Sequence, residues 1–178
     1  LEHMTPVVLL SDGYIANGSE PWRLPDLEKD FPKIKTRLID LEKFDDSQEF
    51  LPYKRDPETL VREWAIPGMK GLEHRIGGLE KAKDSGNVSY DPNNHEEMVK
   101  IRAKKVENVA SNIPTQFIEG DESADILLVS WGGTYGATSS AVKELNAKGK
   151  KVALMHLRYI NPMPKNVEEI LKNYKKII

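Results

Sequence analysis

From Ser123 to the last residue, continuous apolar runs alternate with amphipathic segments at short intervals, and no other pattern constrains the chain as tightly. The run ADILLVSW (124–131) is apolar without alternation, the signature of a strand covered on both faces. ATSSAVKELNAKGK (137–150) follows with helical spacing, which predicts Ala137, Ala141, Val142 and Leu145 on the inward face and Gly149 just past the helix end. KVALMHL (151–157) reads as a second buried strand, NPMP as a turn and NVEEILKNY (166–174) as a second helix. The order β-α-β-α with short connections implies a parallel sheet with flanking helices, so residues 123–178 are expected to form an α/β domain.

The earlier part of the chain is less regular. LEHM (1–4) looks like an expression-vector remnant and is set aside. VVLL (7–10), bounded by Pro6 and by SDG, reads as a buried strand, and SDGYIANGSEPW (11–22) as the loop at its carboxyl end. Residues 23–91 carry prolines at 25 and 32 and glycines at 68, 71, 77, 78 and 86, with little periodicity. This is expected to be a long irregular segment that wraps a partner surface, with Trp64 and Tyr90 as buried-type residues. Asp91 and Pro92 then form a good helix start, and Val99, Ala103, Val106 and Ala110 form one apolar stripe on a helix near 92–110. A first strand with nothing before it and a final NYKKII that reads as the start of another strand point to a fragment of a longer polypeptide.

With 178 residues, 39% hydrophobic, 30% charged and a formal net charge of -2, the chain has the composition of a soluble globular protein. There is no basic excess to favour nucleic acid, and the basic residues Lys100, Arg102, Lys104 and Lys105 are read as a solvated helix face. No apolar run approaches the roughly 20 residues needed to span a bilayer, and no signal peptide is evident, so a cytoplasmic location without membrane attachment is expected. The absence of cysteine removes disulfides, and any iron–sulfur cluster belongs to a partner.

The stretch SWGGTYGATSS (130–140) sits at the junction of a strand and a helix and invites comparison with phosphate-binding loops. In a G-x-G-x-x-G fingerprint its positions are Trp131, Gly133 and Gly136, so the first glycine is missing. A P-loop requires a lysine directly after the last glycine, and none occurs until Lys143. Backbone N–H groups at the helix start leave a candidate anion site at Gly133, Thr134, Tyr135 and Gly136, against the alternative of a tight βα turn. His74 and His95 are far apart without cysteine companions, His156 lies in an apolar strand, and no serine stands in a G-x-S-x-G elbow. No catalytic, cofactor-binding or metal-ligating set emerges from the residues.

One further set of residues is distinctive: Pro67 and Gly68, GLEHRIGG (71–78), GNVSYDP (86–92), Asn94, His95, Met98 and the basic end of the helix at 102–105. With LLSDGYIANGSEPW (9–22), LLVSWGGTYGA (127–137) and NPMPKN (161–166) in the same order, the chain after residue 4 resembles the α subunit of 2-oxoacid:ferredoxin oxidoreductases, more narrowly its 2-oxoglutarate branch. The resemblance implies oxidative decarboxylation of a 2-oxoacid to its coenzyme A thioester, with electrons passed to ferredoxin and thiamine diphosphate as the carbanion sink. It implies a β subunit that binds the diphosphate and magnesium, and iron–sulfur clusters in β or further subunits. By the same likeness, residues 5–22 are the last strand and exit loop of a pyrimidine-binding-type domain, and 23–122 a connecting segment. Residues 123–178 become a truncated domain like the carboxyl-terminal domain of transketolases. On this reading the chain is a carboxyl-terminal portion that completes the α fold and presents surface to the β subunit. It carries none of the catalytic or cofactor-binding residues, and thiamine diphosphate is not expected to bind it alone. An independent anion- or nucleotide-binding α/β module is the competing reading, and pyruvate or a branched-chain 2-oxoacid the competing substrate.

Overall fold

A computed structural model describes all of residues 1–178 except Trp22, Lys43, Asp45 and Asp46, so the end of the expected 5–22 exit loop lies outside the described residues. The chain divides into two compact units, Leu1–Lys105 and Val106–Ile178.

In the first unit, the apolar run at 7–10 has no regular structure and pairs with no strand among the described residues. Its four side chains are 77–91% exposed. This corrects the expectation of a buried strand: a strand needs a hydrogen-bonded neighbour, and apolar content alone does not supply one. Beyond it lies a short helix α1, Gly13–Asn17, whose start is capped by Asp12 through the Ile15 N–H at 2.9 Å. Among the described residues from 23 to 91 there is no regular element, yet the segment is knit by cross-links. Isolated bridges join Leu38 to Trp64, Arg55 to Arg62 and Lys81 to Val88, and Val61 and Leu72 are each 2% exposed. Tyr90, expected among the buried residues, is 87% exposed.

Helix α2 spans Pro92–Asn108, and the Asp91 carboxylate accepts from the Asn93 N–H at 2.9 Å. Its packed face is only partly the expected one: Val106 and Ala110 of the expected stripe are half-buried. Met98 is buried, with Asn94, Ile101 and Lys105 half-buried, whereas Val99 and Ala103 are exposed. Asn94 belongs to this face because its side chain donates to Lys81 O at 2.9 Å and accepts from the Lys83 N–H at 3.0 Å.

The second unit is built on a four-stranded sheet of β1 (Glu119–Gly120), β2 (Ile126–Trp131), β3 (Val152–Leu157) and β4 (Lys176–Ile177), in the order β1-β3-β2-β4. β2 pairs in parallel with β3 and with β4; the short β1 adds an antiparallel edge, so the sheet is mixed rather than wholly parallel. Helix α3, Tyr135–Ala147, links β2 to β3, and α4, Val167–Lys172, links β3 to β4. Strand alternation divides the core into two layers. Leu127, Ala153, Met155 and Leu157 pack with Val167 of α4, while Val152 and Leu154 pack with Val142 of α3. The inward residues of α3 are Ser139 and Val142; Ala137, Ala141 and Leu145 are exposed, contrary to the expected stripe. The helix closes on Gly149, where Lys150 N–H reaches Leu145 O and Gly149 N–H reaches Asn146 O, both at 3.0 Å, a Schellman arrangement.

Candidate functional site

The loop that follows β2 is a single 3₁₀ turn, Gly132–Thr134, leading directly into α3. Gly133, Thr134, Tyr135 and Gly136 all lie at this strand-to-helix junction and are exposed. Gly132 has φ +64°, a conformation that disfavours a side chain, whereas a Cβ on Gly133 or Gly136 would meet nothing within 4 Å. The Thr134 hydroxyl donates to Trp131 O at 2.7 Å, so it fastens the turn instead of facing outward.

Behind the turn lies a polar cluster that no motif announced. Ser130 is 6% exposed, and its hydroxyl meets His156 Nδ1 at 2.8 Å and Thr138 Oγ1 at 3.2 Å. The Tyr135 ring packs on the His156 ring with centroids 5.0 Å apart. The Tyr135 hydroxyl donates to Glu119 Oε2 at 3.2 Å, and the Ser139 hydroxyl to the same oxygen at 3.4 Å. Glu119 therefore faces α3 through the side chains of Tyr135 and Ser139.

Two asparagines fix the margins of this sheet. Asn146 accepts from the Val152 N–H and donates to Val152 O, both at 2.9 Å. Asn166 does the same for Gln116, accepting from its N–H and donating to its carbonyl at 2.8 Å. The buried Gln116 amide in turn donates to His156 O at 3.1 Å.

In the first unit His95 and Arg102, on α2, converge on Glu80, with His95 Nδ1 at 2.7 Å and Arg102 Nη1 at 3.1 Å. Hydrogen bonds from Arg102 and then His95 hold the Glu80 carboxyl below the usual carboxylate range. His74 lies apart from this group, its Nδ1 2.9 Å from Leu72 O. Of the basic residues on α2, Lys100 pairs with Glu96, Arg102 with Glu80, and Lys105 donates to Met4 O. Among the described residues no group of three or more His, Cys, Asp or Glu could hold a metal ion. Nor is any helix there long and apolar enough to cross a membrane.

Cations also gather on Tyr53. The Arg62 guanidinium lies 4.8 Å from the ring centroid and Lys81 Nζ 5.9 Å from it. Arg55 donates to Lys83 O at 2.6 Å and lines a cavity of about 680 Å³ together with Arg37, Lys54, Phe44, Phe50 and Val61. Burial pushes both the Arg55 and Lys105 groups below their usual ranges. Neither this cluster nor the two asparagine brackets has a sequence signature: their members are spread over the chain and joined by folding.

Comparison with known proteins supplies the family. Residues 124–178 match the pyruvate:ferredoxin oxidoreductase core domain II. The whole chain is 46% identical to 2-oxoglutarate oxidoreductase subunit KorA of Mycobacterium tuberculosis, of which it covers 26%. It is 31% identical to the α subunit of 2-oxoacid:ferredoxin oxidoreductase 1 of Aeropyrum pernix, with 95% of this chain and 26% of that protein aligned. Among solved structures, 2-oxoglutarate:ferredoxin oxidoreductase from Magnetococcus marinus, with 2-oxoglutarate, coenzyme A and succinyl-CoA bound, matches with a TM-score of 0.68. That match has 28% identity and covers 86% of this chain and 26% of the other. The chain thus spans about a quarter of the relatives it matches, and it belongs to the α-subunit family of the 2-oxoacid:ferredoxin oxidoreductases.

Proposed function

We propose that this chain is part of the α subunit of a thiamine-diphosphate-dependent 2-oxoglutarate:ferredoxin oxidoreductase. The complete enzyme would convert 2-oxoglutarate and coenzyme A to succinyl-CoA and carbon dioxide, passing two electrons to ferredoxin, in the cytoplasm. The observation that carries this reading is identity of 46% sustained over the full chain with a relative named for 2-oxoglutarate. The 2-oxoglutarate, coenzyme A and succinyl-CoA in the similar solved structure support the same substrate over pyruvate or a branched-chain 2-oxoacid.

Within that enzyme we assign the segment a structural role: to complete the α fold and present surface to the β subunit. A chain without cysteine offers no thiolate to an iron–sulfur cluster, and the carboxylates and histidines described above are spent on internal hydrogen bonds. The residues present therefore do not fit magnesium or a cluster, and thiamine diphosphate and its metal are assigned to the rest of the assembly. Residues 5–22 are proposed as the last strand and exit loop of a pyrimidine-binding-type domain completed by other parts of the subunit.

The test is assembly of the full-length α subunit with its β subunit, followed by 2-oxoacid- and coenzyme A-dependent reduction of ferredoxin. Turnover with 2-oxoglutarate at least tenfold faster than with pyruvate supports the reading; the reverse order overturns the substrate. Calorimetry on the present chain should give no micromolar thiamine diphosphate binding. Stabilisation by phosphate that disappears in Gly133→Val would favour the anion-binding module instead.

A further inference from the structure

The hydrogen bonds among Thr138, Ser130 and His156 fix which nitrogen of the imidazole carries a proton. The Thr138 hydroxyl donates to Thr134 O at 2.9 Å and lies 3.1 Å from Tyr135 O, and a carbonyl can only accept. Its one proton is thereby used within α3. The 3.2 Å contact between Thr138 Oγ1 and the Ser130 hydroxyl then requires the proton of Ser130. With that proton turned toward Thr138, the Ser130 oxygen meets His156 Nδ1, 2.8 Å away, as an acceptor, and the hydrogen between them belongs to Nδ1. Any other assignment leaves one of these contacts without a proton.

A neutral ring protonated at Nδ1 carries its lone pair on Nε2, the reverse of the tautomer that free histidine favours. Nε2 makes no hydrogen bond among the described residues, where the buried side-chain atom left without a partner is His3 Nε2, so Nε2 of His156 reaches solvent. The ring is also fixed in place. Tyr135 packs on it with centroids 5.0 Å apart, the Tyr135 hydroxyl is tied to Glu119 at 3.2 Å, and the His156 carbonyl accepts from the Gln116 side chain at 3.1 Å. An imidazole is aimed at a target by the bond that its other nitrogen makes. Ser130 and His156 stand near the carboxyl ends of β2 and β3, the edge at which parallel sheets receive their ligands. At the same edge Trp131 is 61% and Tyr159 41% exposed, aromatic neighbours of the kind that protein interfaces gather.

We propose that Ser130 and Thr138 are positioning residues that hold His156 as its Nδ1–H tautomer, so that Nε2 accepts a hydrogen bond from an N–H or O–H group of the β subunit. The tautomer stands on the geometry alone; the choice of partner rests on the reading that this segment presents surface to that subunit. His156 spends Nδ1 inside the fold and keeps Nε2 for the contact, while Ser130, 6% exposed, acts only through the ring. The site lies wholly within the second unit and does not depend on the anion reading of the turn at Gly133.

The first test is nitrogen NMR of the histidine side chains of this chain at about pH 8, where an ordinary imidazole is neutral. His156 should show a protonated Nδ1 and an unprotonated Nε2. Thr138→Val removes the acceptor for Ser130, whose proton can then turn to Nδ1, so the ring should shift toward the Nε2–H form; Ser130→Ala should shift it likewise. An Nε2–H ring in the parent overturns the proposal, as does an unchanged tautomer in Thr138→Val. The second test measures affinity between the full-length α subunit and its β subunit. His156→Asn keeps an amide N–H for Ser130 and deletes Nε2, and should weaken assembly by about tenfold, the loss of one hydrogen bond. His156→Gln, which sets an acceptor near the place of Nε2, should recover part of the loss. Unchanged affinity in His156→Asn overturns the docking role. Failure of the parent subunits to assemble overturns the surface reading and the partner with it, whereas the tautomer is decided by the nitrogen shifts.

Discussion

The Ser130 hydroxyl lies 2.8 Å from Nδ1 of His156, and the two residues are register partners across β2 and β3. Alternation along both strands turns them toward α3, where Thr138 closes the group at 3.2 Å from Ser130. Ser130→Ala leaves the ring nitrogen without this partner in a site shielded by Tyr135. Unfolding in urea should show a loss of about 1 kcal/mol. A variant as stable as the parent would mean that the pair contributes nothing net.

Two glycines that look alike in sequence should respond oppositely to the same substitution. Gly86 has φ +74°, and a Cβ there would lie 2.6 Å from the Tyr53 ring, whose residue is tied to the turn by its N–H donating to Asp84 O at 3.0 Å. Gly86→Ala should cost about 2 kcal/mol or more, combining backbone strain with a steric clash. Gly133 has neither constraint, so Gly133→Ala should stay within about 0.5 kcal/mol of the parent. Equal effects in urea unfolding would contradict this account of the turn.

The same contrast explains which parts of the fold the sequence revealed. The βαβα order was legible because β2 and β3 are buried on both faces, so their apolar runs are continuous. The inward faces of both helices were misread in part, because hydrogen bonds help to finish them beside the apolar contacts of Val142 and Met98. Ser139 faces Glu119 from α3, and Asn94 faces the strand-like 81–83 segment from α2, so polar residues stand where an apolar stripe was sought. The run at 7–10 erred in the other direction, because it has the composition of a buried strand with no neighbour to pair with among the described residues. The junction after β2 is a 3₁₀ turn, Gly132–Thr134, that runs directly into α3. Glu119 was invisible there because it comes from a strand of two residues.

Asn146 behaves as an added strand residue, holding both polar groups of Val152 at 2.9 Å where β3 begins. Asn146→Ala removes two hydrogen bonds from partly buried backbone and should cost about 2 kcal/mol. Asn146→Asp keeps the acceptor and loses the donor, so it should fall between the parent and the alanine variant at neutral pH. Hydrogen exchange of the Val152 amide offers the most local readout. Unchanged protection in Asn146→Ala would show that the strand holds its edge without the bracket.

Glu80 gives unit Leu1–Lys105 a defined acid response. Its carboxyl is lowered from 4.5 by Arg102 and then His95, so it binds protons less readily in the folded state than in the unfolded chain. That difference stabilises the fold above the unfolded value of 4.5 and is lost as pH falls through the lower folded value. Its side chain is 24% exposed and both partners are more so, which keeps the contribution small through solvent screening. In Glu80→Gln the urea midpoint should fall less steeply below about pH 4.5 than in the parent. High salt should narrow the difference between the two. Parallel acid profiles for parent and variant would rule out Glu80 as a source of the response.

The run at 7–10 provides the sharpest link between this chain and the larger subunit. Leu9 is 91% exposed here, so Leu9→Lys removes no packing and should leave the unfolding midpoint unchanged within about 0.5 kcal/mol. The parent carries four exposed apolar residues in a row, a pattern that promotes association, and the variant should sediment as monomer at higher concentration. In the full-length subunit the expectation reverses. If residues 5–22 complete a sheet there, Leu9→Lys places an unpaired charge in a packed strand and should destabilise by about 3 kcal/mol or more. Comparing the two differences in stability isolates the environment of a single side chain. A neutral effect in both would remove the strand from the proposed pyrimidine-binding-type domain.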